Sequence, residues 1–185
     1  PGMYENLAIF DFTSMHASII VSYNLSKSTL LEEKKENCYE SPELELNGEK
    51  TKFYFSKKTG FFPELLKEIV ELRKKYKKEL KFNQLNPILK ARSNAFKLLA
   101  NAYYGYLGFF GARYYCIEAA ASTLAFVRKY NKETIENVTK EGYKVIFGDT
   151  DSVAFLIGNK TETDVRKLLE KLNYELPGVM HLELE

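Results

Sequence analysis

The sequence predicts an α+β fold, in which a small antiparallel β-sheet is backed by helices and an antiparallel helical hairpin is inserted. Two short apolar segments surround an acidic turn at residues 148–151, which indicates a β-hairpin. Two long amphipathic segments, at 64–80 and 88–104, are separated by a short polar stretch. The chain has 185 residues, 45% of them hydrophobic, so it is long enough to bury one core.

The amino-terminal third is predicted to consist mainly of short strands. An apolar run at residues 7–10 ends at an aspartate and indicates a buried strand, and residues 14–22 favour a helix after it. Asn47-Gly48 is typical of a tight hairpin turn, here between strands expected at 44–46 and 52–55.

The middle third is predicted to form two helices. Apolar residues of the first helix, at about 64–80, recur at the spacing of one helical face, namely Leu65, Leu66, Ile69, Leu72 and Tyr76. A second helix is expected at about 88–104, ended by Gly105 and Gly108. Because the connection between them is short, the helices are expected to run antiparallel.

The remaining third is predicted to return to the sheet. A helix at 117–139 precedes strands at 143–147 and 152–157. A further helix at 162–172 and a strand at 181–185 complete the chain.

Composition excludes several classes of protein. The 13 Phe and 13 Tyr residues make the chain too apolar to remain disordered. No run approaches the length of a membrane span, and two cysteines cannot form a disulfide framework or a structural zinc site. No secretory signal is visible at the start, so a reducing, intracellular location is expected.

Positive charge is concentrated in one segment. Residues 61–100 contain 10 Lys and Arg against 4 Glu, whereas the rest of the chain is acidic, so the net charge of +2 hides an asymmetry. A basic block beside an acidic remainder suits a protein that handles polyanions near metal-binding carboxylates. A solvated helix face is the alternative interpretation.

Two aspartates are candidate metal ligands. Asp11 ends one predicted strand, and Asp151 lies in the turn between two others. Turns favour Asp and Gly for conformational reasons alone, so the turn acquires meaning only if the strands are neighbours. The carboxylates would then converge, and their repulsion would favour a divalent cation. Oxygen ligands of this kind select Mg²⁺ or Mn²⁺.

The two predicted helices offer candidate anion ligands. Arg73 and Lys77 are four residues apart and leave one face of the first helix. Lys97, Asn101 and Tyr104 share a face of the second helix. Facing each other, these helices would present three cations and an amide to a triphosphate. Ordinary surface cations, with Tyr104 packed in the core, are the alternative.

Three segments carry sequence motifs that occur in a fixed order. They are DFTSMHASII at residues 11–20, KLLANAYYG at 97–105 and FGDTDS at 147–152. These segments resemble motifs A, B and C of the family B DNA polymerases, and the connecting segments most resemble archaeal members. The pair Arg73 and Lys77 lies between motifs A and B, as in that family.

The resemblance implies the catalytic palm and fingers of such a polymerase. It assigns 1–59 to the first part of the palm, 60–107 to the fingers hairpin and 108–185 to the second part of the palm. Exonuclease and thumb domains are then expected in the same polypeptide or in a separate subunit. Primer-template DNA and deoxynucleoside triphosphates are the implied partners, a sliding clamp is a further candidate and no membrane is involved. The expected location is the cytoplasmic nucleoid of a prokaryote or the nucleus of a eukaryote.

The resemblance also implies a reaction: template-directed transfer of a deoxynucleotide to a primer 3′-hydroxyl by a two-metal mechanism, with release of pyrophosphate. Asp11, Asp151 and the Phe12 carbonyl would hold two Mg²⁺ ions, for which Mn²⁺ can substitute. Asp149 would act as an accessory acid at the primer end, and Glu183 or Glu185 would approach a metal from the side. Residues implied to bind the incoming nucleotide are Ser14, Met15, His16, Arg73, Lys77, Lys97, Asn101 and Tyr104.

Four positions depart from the family motifs. His16 stands where a tyrosine that excludes ribonucleotides is usual, which predicts weaker discrimination against ribose. Ala17 replaces a proline, Ala102 a serine and Phe147 a tyrosine. None of these changes removes an implied metal ligand.

Three other functions remain open at this point. An inactive polymerase-like scaffold or subunit would keep the fold, although the intact Asp11, Asp151 and Lys97 disfavour it. Another palm-fold polymerase, such as a reverse transcriptase, would carry adjacent aspartates in its catalytic turn, whereas Thr150 separates them here. A simple nucleic-acid-binding domain would explain the basic helices but not the paired acids.

Overall fold

Nine β-strands and five α-helices follow one another along residues 2–185, which the computed structural model describes. The strands are β1 (Leu7–Phe12), β2 (Leu30–Leu31), β3 (Cys38–Glu40), β4 (Leu44–Leu46), β5 (Glu49–Thr51), β6 (Tyr54–Ser56), β7 (Lys144–Asp149), β8 (Ser152–Leu156) and β9 (Leu182–Leu184). The helices are α1 (Met15–Ser22), α2 (Phe61–Phe82), α3 (Pro87–Gly108), α4 (Ile117–Lys140) and α5 (Glu162–Glu175). Residue 1, part of the first predicted segment, lies outside the described residues. The predicted α+β class with small antiparallel sheets is confirmed.

The main sheet contains four strands in the order β7-β8-β1-β9, and all neighbouring pairs are antiparallel. β1 and β8 pair from Leu7–Leu156 to Asp11–Ser152. β9 lies on the other side of β1. The strand that carries Asp11 and the strand that follows Asp151 are far apart in the sequence but are direct neighbours in the sheet.

The inward face of this sheet is aromatic. Phe10 and Phe155 are fully buried and pack edge to face, with 4.9 Å between ring centroids. Helix α4 packs against β7 and β8 and contributes the buried Phe126 to the same core. Because side chains alternate along a strand, burial of Phe10 and Phe12 directs Asp11 to the opposite face.

Helices α2 and α3 form the predicted antiparallel pair. Asn86 caps α3 by accepting two backbone hydrogen bonds at the end of the short connection. Tyr76 stacks on Phe96 near the middle of the pair, with 5.5 Å between ring centroids. At the other end Phe62 packs on Tyr103 at 4.7 Å. Contacts between early α2 and late α3 establish the antiparallel direction.

The predicted end of the second helix was too early. α3 continues through the exposed Gly105 and ends at Gly108. The extra turn buries Leu107 completely, and the Cys116 amide donates to the Leu107 carbonyl at 3.0 Å. This burial outweighs the roughly 1 kcal/mol by which glycine disfavours a helix interior.

The hairpin at Asn47-Gly48 is confirmed, but its second strand differs from the prediction. β4 pairs with β5, so the partner strand is Glu49–Thr51 and not residues 52–55. Both turn residues have positive φ, 54° and 84°, as a type I′ turn requires. The fully buried Phe55 lies on β6, which pairs with β2 and β3 in a separate sheet. Because Phe55 is buried in that sheet, residues 54–56 pair with β2 and β3 and not with β4.

The other predicted helices are confirmed with small shifts of their ends. α1, α4 and α5 cover the segments predicted at 14–22, 117–139 and 162–172. Thr161 and Asp164 form a capping box at the start of α5. No helix within residues 2–185 combines the length and the apolarity that crossing a membrane requires.

Candidate active site

A row of polar residues crosses the open face of the main sheet. Asp149 lies directly opposite Ser152, Ser152 opposite Asp11, and Asp11 opposite Glu183. Directly opposed residues of antiparallel strands project to the same face. Three carboxylates, from β7, β1 and β9, therefore share the face that points away from the aromatic core.

The β7–β8 turn adds a fourth carboxylate, that of Asp151. The Phe12 amide donates to the Asp151 carbonyl at 2.8 Å, which fixes the turn against the end of β1. Thr150 has a positive φ of 35°, and its carbonyl accepts a hydrogen bond from the Asn131 amide at 3.2 Å. The Thr150 hydroxyl donates to the Asp149 carboxylate at 3.0 Å. The turn is thus tied to both β1 and α4.

The surroundings of Asp11 make the ionisation of its carboxyl group unfavourable. The pKa of Asp11 is raised from 3.8 to about 6, first because burial disfavours its charge and then because of the charges of Asp151, Glu185 and Glu183. Lys77 opposes this shift. A carboxyl group in such surroundings is stabilised by any cation that approaches it.

The donor set suits a divalent metal, although residues 2–185 contain no group of three or more His, Cys, Asp and Glu side chains gathered to hold one. The charge of Asp151 raises the pKa of Asp11, and both residues offer the hard oxygen ligands that Mg²⁺ and Mn²⁺ prefer. The mutual repulsion of these carboxylates is what a cation at this position would relieve.

Helix α2 brings cations to the acidic row. Lys77 forms an ion pair with Glu183. Desolvation lowers the pKa of the half-buried Arg73, and the charges of Glu183 and Asp11 oppose this effect. The predicted pair, one helical turn apart, thus faces the carboxylates of the sheet.

The predicted residues of α3 are only partly gathered at this site. The half-buried Tyr104 packs on His16, with 4.7 Å between ring centroids. Burial lowers the pKa of His16, and the charge of Asp151 in the β7–β8 turn opposes this shift. Lys97 and Asn101 are exposed and make no ion pair or side-chain hydrogen bond within residues 2–185. The structure does not join them to the acidic row.

The start of α1 lies next to Asp11. Ser14 precedes Met15, the first residue of the helix, in a left-handed conformation with φ 49° and ψ 52°. Its buried hydroxyl has no hydrogen-bond partner. The first amides of a helix point outward unpaired and favour anions. A left-handed backbone such as that of Ser14, in a residue other than glycine, is typical of functional sites.

Two contributors were not found from the sequence. Asn131, in the middle of α4, holds the β7–β8 turn, and nothing in the local sequence distinguishes it from a surface asparagine. Lys74 donates to the Val179 carbonyl at 3.0 Å beside β9. Glu183, by contrast, was named from the family resemblance, with Glu185 as the alternative.

Comparison with known proteins shows the family of the chain. The chain matches the family model for DNA polymerase family B over residues 1–184. It belongs to this family.

Its curated relatives include archaeal DNA polymerases. The chain is 40% identical to the DNA polymerase of Pyrococcus glycovorans over 201 aligned positions and 38% identical to that of Thermococcus gorgonarius over 193. Both alignments cover 100% of this chain and 24% of the relative. The DNA polymerase of Archaeoglobus fulgidus is 36% identical over 182 positions, which cover 95% of this chain and 22% of that protein.

A solved structure agrees with these relatives. The fold matches the family B DNA polymerase from the hyperthermophilic archaeon Pyrobaculum calidifontis with a TM-score of 0.74 and 34% sequence identity. The match covers 100% of this chain and 24% of that one. The chain therefore spans about a quarter of the length of the relatives that it matches.

Proposed function

We propose that this chain is the catalytic palm and fingers of a DNA-directed DNA polymerase. It would transfer a deoxynucleotide to a primer 3′-hydroxyl under the direction of a template and release pyrophosphate. The observation that carries the proposal is the acidic row on the open face of the sheet, with a cationic helix held beside it by Lys77 and Glu183.

The acidic residues would hold the metal ions. Asp11, Asp151 and the Phe12 carbonyl are the proposed ligands, and Asp149 is an accessory acid at the exposed end of the row. Mg²⁺, when bound, supplies activation of the attacking hydroxyl and neutralisation of phosphate charge. The chain's own contribution is to keep these carboxylates on one rigid sheet edge, since positioning accounts for much of the rate in phosphoryl transfer.

The helices would bind the triphosphate. Arg73 and Lys77 are the proposed clamp on α2, and Lys97 with Asn101 would complete it from α3. Guanidinium and ammonium groups form strong, charge-assisted hydrogen bonds with phosphate oxygens. The amides at Ser14 and Met15 would add neutral donors from the start of α1.

Two rings would contact the sugar and the base. His16 and Tyr104 pack together between α1 and α3, close to the turn that carries Asp151. His16 is proposed to lie under the sugar and Tyr104 near the nascent base pair. In this proposal, residues 1–59 and 108–185 form the palm and 60–107 form the fingers. Other domains of a longer polymerase would share the binding of primer-template DNA.

A chimaera tests the proposal with the missing domains present. Residues 1–185 would replace the matching quarter of the Thermococcus gorgonarius polymerase, and primer extension would be followed with each nucleotide in turn. We expect Mg²⁺-dependent addition of the complementary nucleotide, abolished by Asp151→Asn. The matched control is Asp164→Asn, the same chemical change in the first turn of α5, outside the acidic row.

The alternative, an inactive scaffold, predicts a different result. A chimaera that folds by circular dichroism and binds primer-template DNA, yet extends no primer, would support the scaffold. For a chimaera that does not fold, nucleotide binding by the chain itself provides the test. Binding that is weakened by Lys77→Met supports the polymerase proposal, and binding indifferent to this change contradicts it.

A further inference from the structure

A cationic pocket lies between α2 and β9, and the proposed triphosphate clamp uses only one of its residues. Its volume is about 320 Å³. Its basic lining residues are Lys74, Lys77, Lys78, Lys81 and His181.

The positive charge in this pocket is largely uncompensated. Lys74, Lys78 and Lys81 are spaced at one-turn intervals and leave the same face of α2. Within residues 2–185 none of these three has a carboxylate oxygen within 4 Å. The acid in the lining, Glu183, is engaged by Lys77. Like charges one turn apart destabilise a helix, so a bound anion would stabilise this one.

Two other lining residues of the pocket, Thr13 and Lys74, point to the same kind of ligand. Thr13 lines the pocket and is only 5% exposed, and its hydroxyl has no hydrogen-bond partner. Lys74 is held in place by the Val179 carbonyl at 3.0 Å, and desolvation lowers the pKa of its ammonium. A partly desolvated cation binds an anion more strongly than a free surface lysine does.

We propose that this pocket binds inorganic pyrophosphate as a second anion site beside the triphosphate clamp. The proposal rests on the proposed function, because pyrophosphate is the product of that reaction. A small, multiply charged anion matches both the size of the pocket and its excess of positive charge. Lys77 belongs to the pocket and to the clamp, so pyrophosphate can pass from one to the other along α2 without losing this contact.

Direct titration of the chain tests the proposal without catalysis. Pyrophosphate binding would be measured by calorimetry in EDTA at moderate salt for the wild type and for Lys78→Ala and Lys81→Ala. We expect each variant to weaken binding about tenfold, a factor equivalent to 1.4 kcal/mol. Lys67→Ala and Lys75→Ala are the matched controls, because they remove the same charge from exposed positions of the same helix outside the pocket. We expect the controls to bind as the wild type does.

Two results would overturn the proposal. An equal loss of pyrophosphate affinity in all four variants would mean that binding depends on the net charge of α2 and not on a defined site. A single-stranded oligonucleotide that binds through Lys78 and Lys81, and that pyrophosphate does not displace, would assign the pocket to backbone phosphates.

The two proposals fail separately. Asp11→Asn, which should abolish primer extension, should leave pyrophosphate binding intact. An inactive chimaera whose chain still shows the lysine pattern would contradict the polymerase proposal alone. An active chimaera whose chain lacks the pattern would contradict the pocket alone.

Discussion

Lys77 on α2 and Glu183 on β9 form an ion pair that joins the helical hairpin to the main sheet. The two side chains are only 32% and 24% exposed. Glu183 also lies directly opposite Asp11, so the pair connects the helix to the acidic row. Lys77 therefore has two competing anions, the carboxylate of Glu183 and the triphosphate that we propose it binds.

Separating these two roles is the first prediction. Lys77→Met and Glu183→Gln each remove the ion pair, and we expect both to lower the free energy of unfolding by about 1 kcal/mol. Nucleotide affinity should fall about tenfold in Lys77→Met alone, since Glu183→Gln frees the ammonium for phosphate. Chemical denaturation and titration with a fluorescent nucleotide would measure the two effects. Equal losses of affinity would show that the pair acts only through stability.

The same pair predicts a pH dependence. Burial of Glu183 disfavours its charge. The hydrogen bond from Lys77 and the charges of Lys77, Lys81 and His181 outweigh burial, so the pKa of Glu183 lies below 4.5. A lowered acid pKa gives stability that is present above the unfolded value and lost as the pH falls through the folded one. The stability difference between wild type and Glu183→Gln should therefore be constant at neutral pH and shrink below pH 4.5.

Asp11 gives a prediction of opposite sign. Its pKa is raised from 3.8 to about 6, so its charge destabilises the folded chain above pH 6, and this penalty disappears below pH 3.8. In EDTA, Asp11→Asn should increase the free energy of unfolding at pH 7 by about 1–3 kcal/mol and leave it unchanged near pH 3. The same variant should abolish primer extension.

The control for this effect is Asp149→Asn. Asp149 is exposed at the end of the same row, so its substitution should change stability by less than about 0.5 kcal/mol. Denaturant titrations of both variants at the two pH values would measure the difference. A destabilised Asp11→Asn protein at pH 7 would mean that hydrogen bonds to the carboxylate matter more than its repulsion.

Gly178 gives a prediction about the segment that precedes β9. Its φ is +60°, and an added Cβ would lie 2.7 Å from the Cβ and 3.1 Å from the Cα of Ser22. Gly178→Ala should lower the free energy of unfolding by about 2–4 kcal/mol, because backbone strain and a steric clash add together. Gly158 has a similar φ of +64° but no atom within 4 Å of an added Cβ. Gly158→Ala should therefore show the strain alone, about 1 kcal/mol, and equal losses would contradict the clash.

Local pattern was enough to predict most of the elements. Apolar periodicity located α2, α3 and α4, and the motif at 147–152 located the β7–β8 turn. Errors arose where burial elsewhere in the chain decided the outcome. Leu107 extends α3 past a glycine, and Phe55 draws β6 into another sheet. The burial of Leu107 and Phe55 depends on residues distant in the sequence, so a short stretch of sequence does not reveal it.

The candidate site was predictable in composition but not in arrangement. The family motifs named the acids, and the structure brings Asp11 beside the β7–β8 turn. The opposition of Asp11 and Glu183 depends on the register of β9, which the sequence does not encode locally. Lys97 has no contact with the acidic row in the structure, and its part in the triphosphate clamp stays a prediction.

His16 carries the last prediction, on the choice between deoxyribose and ribose. Its ring is half-buried against Tyr104, so a larger ring at this position would extend further under the sugar. We expect His16→Tyr in the chimaera to raise the ratio of kcat/KM for deoxynucleotides over ribonucleotides about tenfold, equivalent to 1.4 kcal/mol of differential binding in the transition state. Tyr104→Phe, which keeps the ring contact and removes only a hydroxyl, should leave this ratio unchanged. Since steric exclusion acts on the ribonucleotide alone, the deoxynucleotide kcat/KM should stay within about twofold of the wild type. If His16→Tyr instead slows both substrates equally, the ring positions the nucleotide and does not select its sugar.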